Sequence, residues 1–412
     1  MKQCNTLRSA TERSRNMPKN WEIKKLGEVC QILNGGTPKT GIPNYWDGNI
    51  KWITPKDMGK MISKFIAETP RTITHLGLQK SSAKLIPSNS IILSTRAPIG
   101  HLAINIAEMA TNQGCRGIIP SININTYYLY YFLSKSVELL NNLGTGATFR
   151  ELSTSSLSSV EIPLPPLPEQ KRIVSILDKT FEAINKAKAN AETNLKNAKE
   201  LFESYLHGVF ENKGEDWEEK TISEIGNVQT GTTPPTKDKL NYGNYISFAK
   251  PPHFKTNGNI ETGDSMLSEL GLKKGRLFGA NSILMVCIGA TIGKTGFSKK
   301  PISSNQQINA LTPYSNYEPK LLYYALISDY VQKQIINQGK SAQATLPIIN
   351  KSKWEKTKIN IPKSKSKQQQ IVKKLDALST ETKNLEHIYQ QKVVDLEELK
   401  KSVLQKAFRG EL

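Results

Sequence analysis

The chain spells one domain twice. Trp21-Glu22 returns as Trp217-Glu218, Glu28 as Glu224, and Gly35, Thr37, Pro38 and Thr40 return as Gly231, Thr233, Pro234 and Thr236, all 196 positions later. The Trp52-Ile53-Thr54 run is read as returning at Tyr245-Ile246-Ser247, Ile99-Gly100 at Ile292-Gly293 and Asn112-Gln113 at Asn305-Gln306. Leu129-Tyr130-Tyr131 returns as Leu322-Tyr323-Tyr324, with the spacing now 193. Late in each half, Ile173-Val174, Leu177-Asp178, Leu201, Ser204, Leu206 and Phe210 reappear 198 positions on. A period this long is not that of a solenoid array, whose units are much shorter. It is a duplicated domain, so one molecule performs its task twice.

The charge says what kind of partner suits that task. Lys plus Arg number 56 and Asp plus Glu 36, a formal net charge of +20. A surplus of that size favours a polyanion. An acidic membrane surface would also suit it, but no apolar run of about 20 residues, amphipathic anchor or lipidation motif is present. Cys4, Cys30, Cys115 and Cys287 are scattered without a C-x-x-C pair, and the five histidines do not cluster. Neither a disulfide framework nor a zinc site is expected. With no secretory leader, the expected compartment is a reducing cytoplasm.

Each half divides into a globular segment and a helix. Residues 1–16 read as a flexible lead, 17–163 as the first globular segment and 164–212 as the first helix. Residues 213–362 read as the second globular segment and 363–412 as the second helix. Short β-branched runs such as Ile91-Ile92-Leu93 and Gly117-Ile118-Ile119 read as strands, and a helix is expected from Asn125 to Leu140. The second copy repeats this with a strand over 282–288 and a helix over 320–336. The connector Ile162-Pro163-Leu164-Pro165-Pro166-Leu167-Pro168 is too proline-rich for a helix interior and reads as extended polyproline, with Pro168 opening the helix behind it.

In the second helix Ile371, Leu375, Leu378, Thr382, Leu385, Tyr389, Lys392, Leu396, Leu399 and Val403 alternate spacings of four and three, a heptad seam. The first helix offers a smaller, Ala-rich seam: Ile173, Leu177, Thr180, Ile184, Ala187, Ala191, Asn194, Ala198, Leu201 and Tyr205. Complementary bulk within one chain implies that the two helices pair with each other, with Asn194, Thr180 and Thr382 helping to set register. About 40 residues at ~1.5 Å each give a rod of about 60 Å, longer than either domain. The expected fold is α+β: two tandem α/β globular domains separated by two long helices in an antiparallel coiled coil, related by a pseudo-twofold axis. In that arrangement Ala407 to Leu412 finish near the first globular segment.

Several strings in this order resemble the specificity subunit of type I restriction–modification systems. They are Gly35-Gly36-Thr37-Pro38, Trp52-Ile53-Thr54-Pro55-Lys56-Asp57, Ala97-Pro98-Ile99-Gly100 and Thr111-Asn112-Gln113-Gly114. To these add the proline connector with Glu169-Gln170 and the ending Leu404-Gln405-Lys406-Ala407-Phe408-Arg409-Gly410-Glu411-Leu412. The second copy departs from the pattern: Gly231-Thr232-Thr233-Pro234 replaces Gly-Gly-Thr-Pro, and the stretch from Pro362 to Gln370 lacks the proline run and the Glu-Gln pair. The resemblance implies that each domain reads one half of a bipartite duplex DNA site, that the coiled coil sets the spacer, and that the chain has no catalysis of its own. It implies docking of adenine methyltransferase subunits (two are expected), which carry S-adenosylmethionine, and of motor-nuclease subunits. No cofactor or metal is expected on this chain, and no membrane.

The residues themselves offer little to an enzyme reading. Lys250-Pro251-Pro252-His253 and Thr233-Pro234-Pro235-Thr236 lack the Asn or Asp that holds a flipped adenine. Gly289-Ala290-Thr291-Ile292-Gly293-Lys294-Thr295 falls one residue short of the phosphate-loop spacing. Two rival readings remain: a two-headed protein scaffold, and a self-contained methyltransferase or nuclease.

The duplication supplies its own comparison. Positions kept in both copies serve fold and phosphate contact, whereas positions that differ are free to read different bases. Gly35 with Gly231, and Gly100 with Gly293, are expected to be backbone turns. Asn112-Gln113 and Asn305-Gln306 either cap a turn or contact adenine edges. Lys39, Lys84, Lys237 and Lys294 are candidate phosphate neutralisers. For base reading the candidates are Lys56, Asp57, Arg96 and Arg116 in the first copy, and Lys250, His253, Gln307 and Asn309 in the second, since Arg suits guanine, Gln or Asn adenine and Asp cytosine. Tyr45, Trp46 and Tyr242 either stack on a base or belong to the core.

Overall fold

The computed structural model describes residues 18–146, 150–339 and 347–412. The lead over 1–16, with Cys4, lies outside them. The described residues divide into two compact units, the first drawn from Met1–Ala191 with Lys392–Leu412 and the second from Glu192–Gln391.

In the first unit a five-stranded sheet runs Cys30–Asn34, Cys115–Pro120, Ser90–Thr95, Ile99–Asn105, Phe65–Ile66. Every residue of Ser90–Thr95 is buried, because this strand is covered on both faces. Its apolar run therefore shows no alternation. A three-stranded sheet places Trp46–Ile53 between Arg71–Ile73 and Met109–Thr111, the latter pairing parallel with Trp52 opposite Ala110. The second unit repeats the plan with Ser282–Val286 between Ile308–Pro313 and Thr295–Ser298, and Tyr242–Ala249 parallel to Ile302–Ser304. There Phe248 faces Ser303 and Ala249 faces Ser304.

That pairing corrects the register of the internal repeat. Ile53 faces Thr111 and Ala249 faces Ser304, so Trp52-Ile53-Thr54 corresponds to Phe248-Ala249-Lys250, still 196 positions on, and not to Tyr245-Ile246-Ser247. The three-residue loss falls after this strand, and the similarity of Trp-Ile-Thr to Tyr-Ile-Ser was misleading.

Each helix expected in the globular segments is two. Thr126–Lys135 and Val137–Leu143 meet at Ser136, whose hydroxyl bonds back to the Phe132 carbonyl at 2.8 Å. Pro319–Ile327 and Asp329–Gly339 meet at Ser328, in extended backbone. A hydroxyl that competes for main-chain carbonyls breaks the helix without disturbing its apolar pattern. The proline connector begins as a strand, Glu161–Leu164 pairing antiparallel with Glu22–Lys25, Pro163 opposite Ile23, and the long helix starts at Leu167. A two-stranded ribbon is all edge, which is where proline is tolerated in a sheet.

The long helices are Leu167–Glu211 and Lys365–Ala407, and each gives one half to each unit. In the first unit their pairing is antiparallel: Lys188 meets Glu397 at 2.6 Å, the Lys400 ammonium lies 5.2 Å from the Phe181 ring, and Arg172 donates to the Leu412 carbonyl at 2.7 Å. Leu404, Ala407 and Phe408 are buried in the same core as Tyr128 and Phe132, and the Phe408 ring lies 5.0 Å from Tyr128 and 5.6 Å from Phe132. In the second unit Leu206, Phe210 and Leu375 share a core with Tyr324 and Trp354.

The seam departs from a strict heptad. Ile173, Leu177, Ile184, Ala191 and Ala198 are buried as expected, but Leu201 is 50% and Tyr205 41% exposed, while Leu206 and Phe210 are buried. A helix of 3.6 residues per turn slips about 20° per heptad, so four heptads past Ile173 the inward face has moved on by one residue. In the second helix Ile371, Leu378 and Leu396 are half-buried and Leu375 buried, while Leu385 and Leu399 are exposed. Asn194 is exposed and Thr180 half-buried. Thr382 is buried, but its hydroxyl donates to Leu378 of its own helix at 2.9 Å. None of the hydrogen bonds described for these three crosses to the other helix.

Candidate nucleic-acid interface

The repeated glycine turn builds the same lattice in both units. After strand Cys30–Asn34 the chain turns through Gly35-Gly36, and Gly36 N donates to Thr111 O at 2.8 Å while Gly36 O accepts from the Trp52 indole at 2.9 Å. A Cβ on Gly35 would lie 1.8 Å from the Asn112 carbonyl oxygen, so no side chain fits. In the second unit Thr232 N donates to Ser304 O at 2.9 Å, and a Cβ on Gly231 would lie 2.2 Å from the Asn305 oxygen. Thr232 can stand where Gly36 does; Gly231 cannot be replaced.

This turn presents Thr37 to Gln113 and Thr233 to Gln306. In each unit the threonine hydroxyl donates to the glutamine amide oxygen. The asparagine before each glutamine is a turn cap: Asn112 Oδ1 accepts from Gly114 N at 3.0 Å and Asn305 Oδ1 from Gln307 N at 3.3 Å. Asn112 N donates to Ile53 O at 2.9 Å and Asn305 N to Ala249 O at 3.1 Å, placing both loops against the short helices that follow those strands.

In the first unit three candidates converge. A Cβ on Gly114 would lie 3.0 Å from the Pro55 ring and 3.2 Å from Arg96 Nε, so Gln113, Arg96 and the helix carrying Lys56 meet at one place. Lys56 and Gln113 are exposed and Arg96 is half-buried, its guanidinium 3.7 Å from Glu151. Lys39 is exposed on the glycine turn, with Lys84 also exposed. Asp57, however, is spent in a capping box, accepting from Thr54 N at 3.0 Å and from its hydroxyl at 2.7 Å. Arg116 is buried; it donates to Gln113 O at 2.8 Å, to Thr154 at 3.2 Å and to Glu151 at 3.4 Å. Neither is free to meet a base edge.

The second unit differs at the same positions. Lys250 is exposed, with its ammonium 5.6 Å from the Phe248 ring, and Lys237 and Gln306 are exposed. His253 Nδ1 accepts from Lys250 N at 3.1 Å. Burial, then the charges of Lys250 and Lys255, lower its pKa below the ordinary value. Gln307 is half-buried and accepts from Asn305 Nδ2 at 2.9 Å. Asn309 is wholly buried, donating to Ile349 O at 3.2 Å and accepting from Thr230 at 2.8 Å. It holds strands together and cannot read a base. Of the aromatics, Trp46 belongs to the core, 5.1 Å from Trp52, while Tyr45 and Tyr242 are half-buried beside it and its counterpart cluster.

Lys294 sits in the loop that resembles a phosphate cradle. There Gly289 N donates to Pro347 O at 3.1 Å, Ile292 N to Gly289 O at 3.2 Å and Gly293 N to Val286 O at 2.9 Å. A phosphate cradle needs such N–H groups free, and here they are spent. Gly293, like Gly100, has positive φ (+86° and +113°), the backbone turn expected of both.

Sequence comparison missed a third shared device. Gln170 is buried, accepting from Asn125 N at 2.8 Å and donating to Pro165 O at 2.8 Å. Gln368, 198 positions on, accepts from Glu318 N at 2.8 Å and donates to Pro362 O at 2.8 Å. The Glu-Gln pair is thus only half lost in the second copy. Without its proline neighbours the glutamine gave no signal.

Comparison with known proteins places this geometry. The family model described as the type I restriction modification DNA specificity domain matches twice, over residues 18–194 and 214–393. The type I restriction enzyme MjaIX specificity subunit of Methanocaldococcus jannaschii is 30% identical, over 96% of this chain and 94% of its own length. The solved HsdS subunit from Thermoanaerobacter tengcongensis superposes with a TM-score of 0.64 at 20% identity, covering 96% of this chain and 98% of that one. A chain from a structure on complex assembly and conformational transition of the type I R-M system gives a TM-score of 0.75 at 19% identity, covering 96% and 99%.

Proposed function

Because this chain belongs to the type I restriction modification DNA specificity family, we propose that each unit binds one half of a bipartite duplex DNA site. The observation that carries this reading is the recurrence, in both units, of one glycine-clamped Thr–Gln turn beside exposed lysines whose neighbours differ. Shared positions suit the invariant backbone of DNA, and differing ones suit different bases. With a net charge of +20, the phosphates supply general affinity and make it salt-dependent.

The chain does no chemistry itself in this reading. It directs partner adenine methyltransferase subunits, which hold S-adenosylmethionine, and restriction motor-nuclease subunits. Support for docking comes from the long helices, where Leu201, Tyr205, Leu385 and Ile388 of the second unit are exposed apolar residues on otherwise charged helices. Two methyltransferase subunits are expected, one for each copy of the duplicated domain. Among the described residues no helix is long and apolar enough to cross a membrane, and no His, Cys, Asp or Glu group is arranged to hold a metal. The paired helices set the spacer between half-sites, and the whole complex works on cytoplasmic DNA.

The test is an electrophoretic shift with the chain and its methyltransferase subunits, comparing a duplex carrying the site mapped by adenine-methylation sequencing with one whose half-sites are scrambled. Preference for the mapped site is expected; equal affinity would sink the reading. Removing one heptad from both helices in register should change the tolerated spacer and leave the half-sites alone.

A further inference from the structure

We propose that Gln113 and Gln306 are a matched pair of phosphate clamps, each donating its amide N–H to the DNA backbone, one in each half-site. The proposal rests on the DNA-binding reading above and assigns these two residues a role within it.

Four observations lead there. The amide oxygen of each glutamine is occupied by a threonine hydroxyl, Thr37 or Thr233. That leaves the amide nitrogen as the group available outward, and among the described residues neither nitrogen has a partner. Secondly, the turn behind each threonine is clamped, since Gly35 and Gly231 admit no Cβ. The asparagine before each glutamine caps its own loop. An exposed glutamine is ordinarily free to rotate, whereas these two are held in place before any ligand arrives. Preorganised donors bind with less ordering cost.

Thirdly, both glutamines are exposed while the residues that hold them are buried or half-buried. The structure keeps them at the surface. Lastly, the pair is identical in the two units while its surroundings are not. Gly36 corresponds to Thr232, Gly114 stands where Gln307 does, and Arg116 where Asn309 does. A glutamine reading adenine would impose the same base on both half-sites. A glutamine donating to a phosphate imposes nothing, and side-chain amides are among the groups that make such contacts.

The experiment uses the chain with its methyltransferase subunits, the mapped duplex and the scrambled duplex. Gln113→Ala and Gln306→Ala are each expected to weaken both duplexes about tenfold, as loss of a hydrogen bond to a charged group does. The ratio between duplexes should stay as in the wild type. The slope of log affinity against log salt should also hold, because no cation has been removed. Gln113→Glu keeps the acceptor for Thr37 but places an oxygen where the donor was, and should weaken binding more than alanine does. Relaxed preference at one base pair in either alanine variant would overturn the proposal in favour of base reading. Unchanged affinity in both, with the glutamate variant binding like wild type, would reduce the pair to a turn device. If the wild type itself fails to prefer the mapped duplex, the DNA-recognition reading falls and not merely the clamp.

Discussion

Tyr324 donates its phenol to Asp376 at 2.5 Å, and the same bond joins Tyr131 to Asp178 in the first unit. Each ties a recognition-domain helix to a long helix. The cation that completes the pair is different: Lys320 of the same short helix reaches Asp376 at 2.7 Å, whereas Lys64, just ahead of strand Phe65–Ile66, reaches Asp178 at 2.7 Å. Burial, and then the hydrogen bond and charge of the aspartate, push both phenols well above the usual tyrosine range. They therefore stay protonated donors at any physiological pH.

Breaking that tie should be felt as stability. Tyr324→Phe removes the donor and leaves the ring, so a cost of about 1–2 kcal/mol is expected from a lost hydrogen bond to a carboxylate. Asp376→Asn should cost a similar amount and also strand Lys320. Urea unfolding monitored by tryptophan fluorescence would show the midpoint shift, and a midpoint equal to wild type for both variants would contradict it.

Gln368→Ala leaves the Glu318 N–H and the Pro362 carbonyl without the partner that closes the helix start. Because the side chain is 1% exposed, a loss of about 1–3 kcal/mol is expected. Gln170→Ala should cost as much or more, since it also bonds Asn123 O at 3.0 Å. Gln368→Glu keeps an acceptor but sets a buried carboxylate oxygen against the Pro362 carbonyl, and should be at least as costly as alanine in the same assay.

Much of this was legible because duplication marks what both units need. The glycine clamps, the Asn-Gln loop and the paired helices repeat in the sequence and recur in the structure. Lys64 was not legible, since its counterpart is a lysine on another element and no repeat position connects them. Arg116 and Asn309 misled for a related reason. They differ between copies, as base readers would, yet they are buried braces that each unit satisfies with its own partners. Sequence difference alone does not separate a changed reading head from a changed brace; burial does. Leu201 and Tyr205 failed for want of geometry, because a heptad count does not include the slow rotation of a straight helix.

Asn309 and Arg96 should accordingly part company in a binding assay. Asn309→Ala is expected to destabilise the fold by about 1–3 kcal/mol and to leave base preference as it was. Arg96→Ala should cost about 1–3 kcal/mol of discrimination at one base position, with little change in stability because its ion pair is 35% exposed on the arginine side. Uniform weakening on every duplex would make Arg96 a phosphate contact.

His253 gives the chain a predicted pH signature. Its imidazole must stay neutral to accept from Lys250 N, and burial, followed by the charges of Lys250 and Lys255, holds its folded pKa below the unfolded value, which is about 6.5. Below that unfolded value the denatured chain binds the proton that the native one resists, so stability is lost as pH falls. The contribution is fully present above about pH 6.5 and declines from there to the folded pKa, beneath which it is flat. His253→Gln removes the titration while keeping a polar side chain. Denaturant midpoints of wild type and variant should differ by a constant amount at neutral pH and above, and the wild type should lose ground relative to the variant as the pH is lowered towards 5. A difference that does not vary with pH would show that the imidazole does not titrate between the folded and unfolded states.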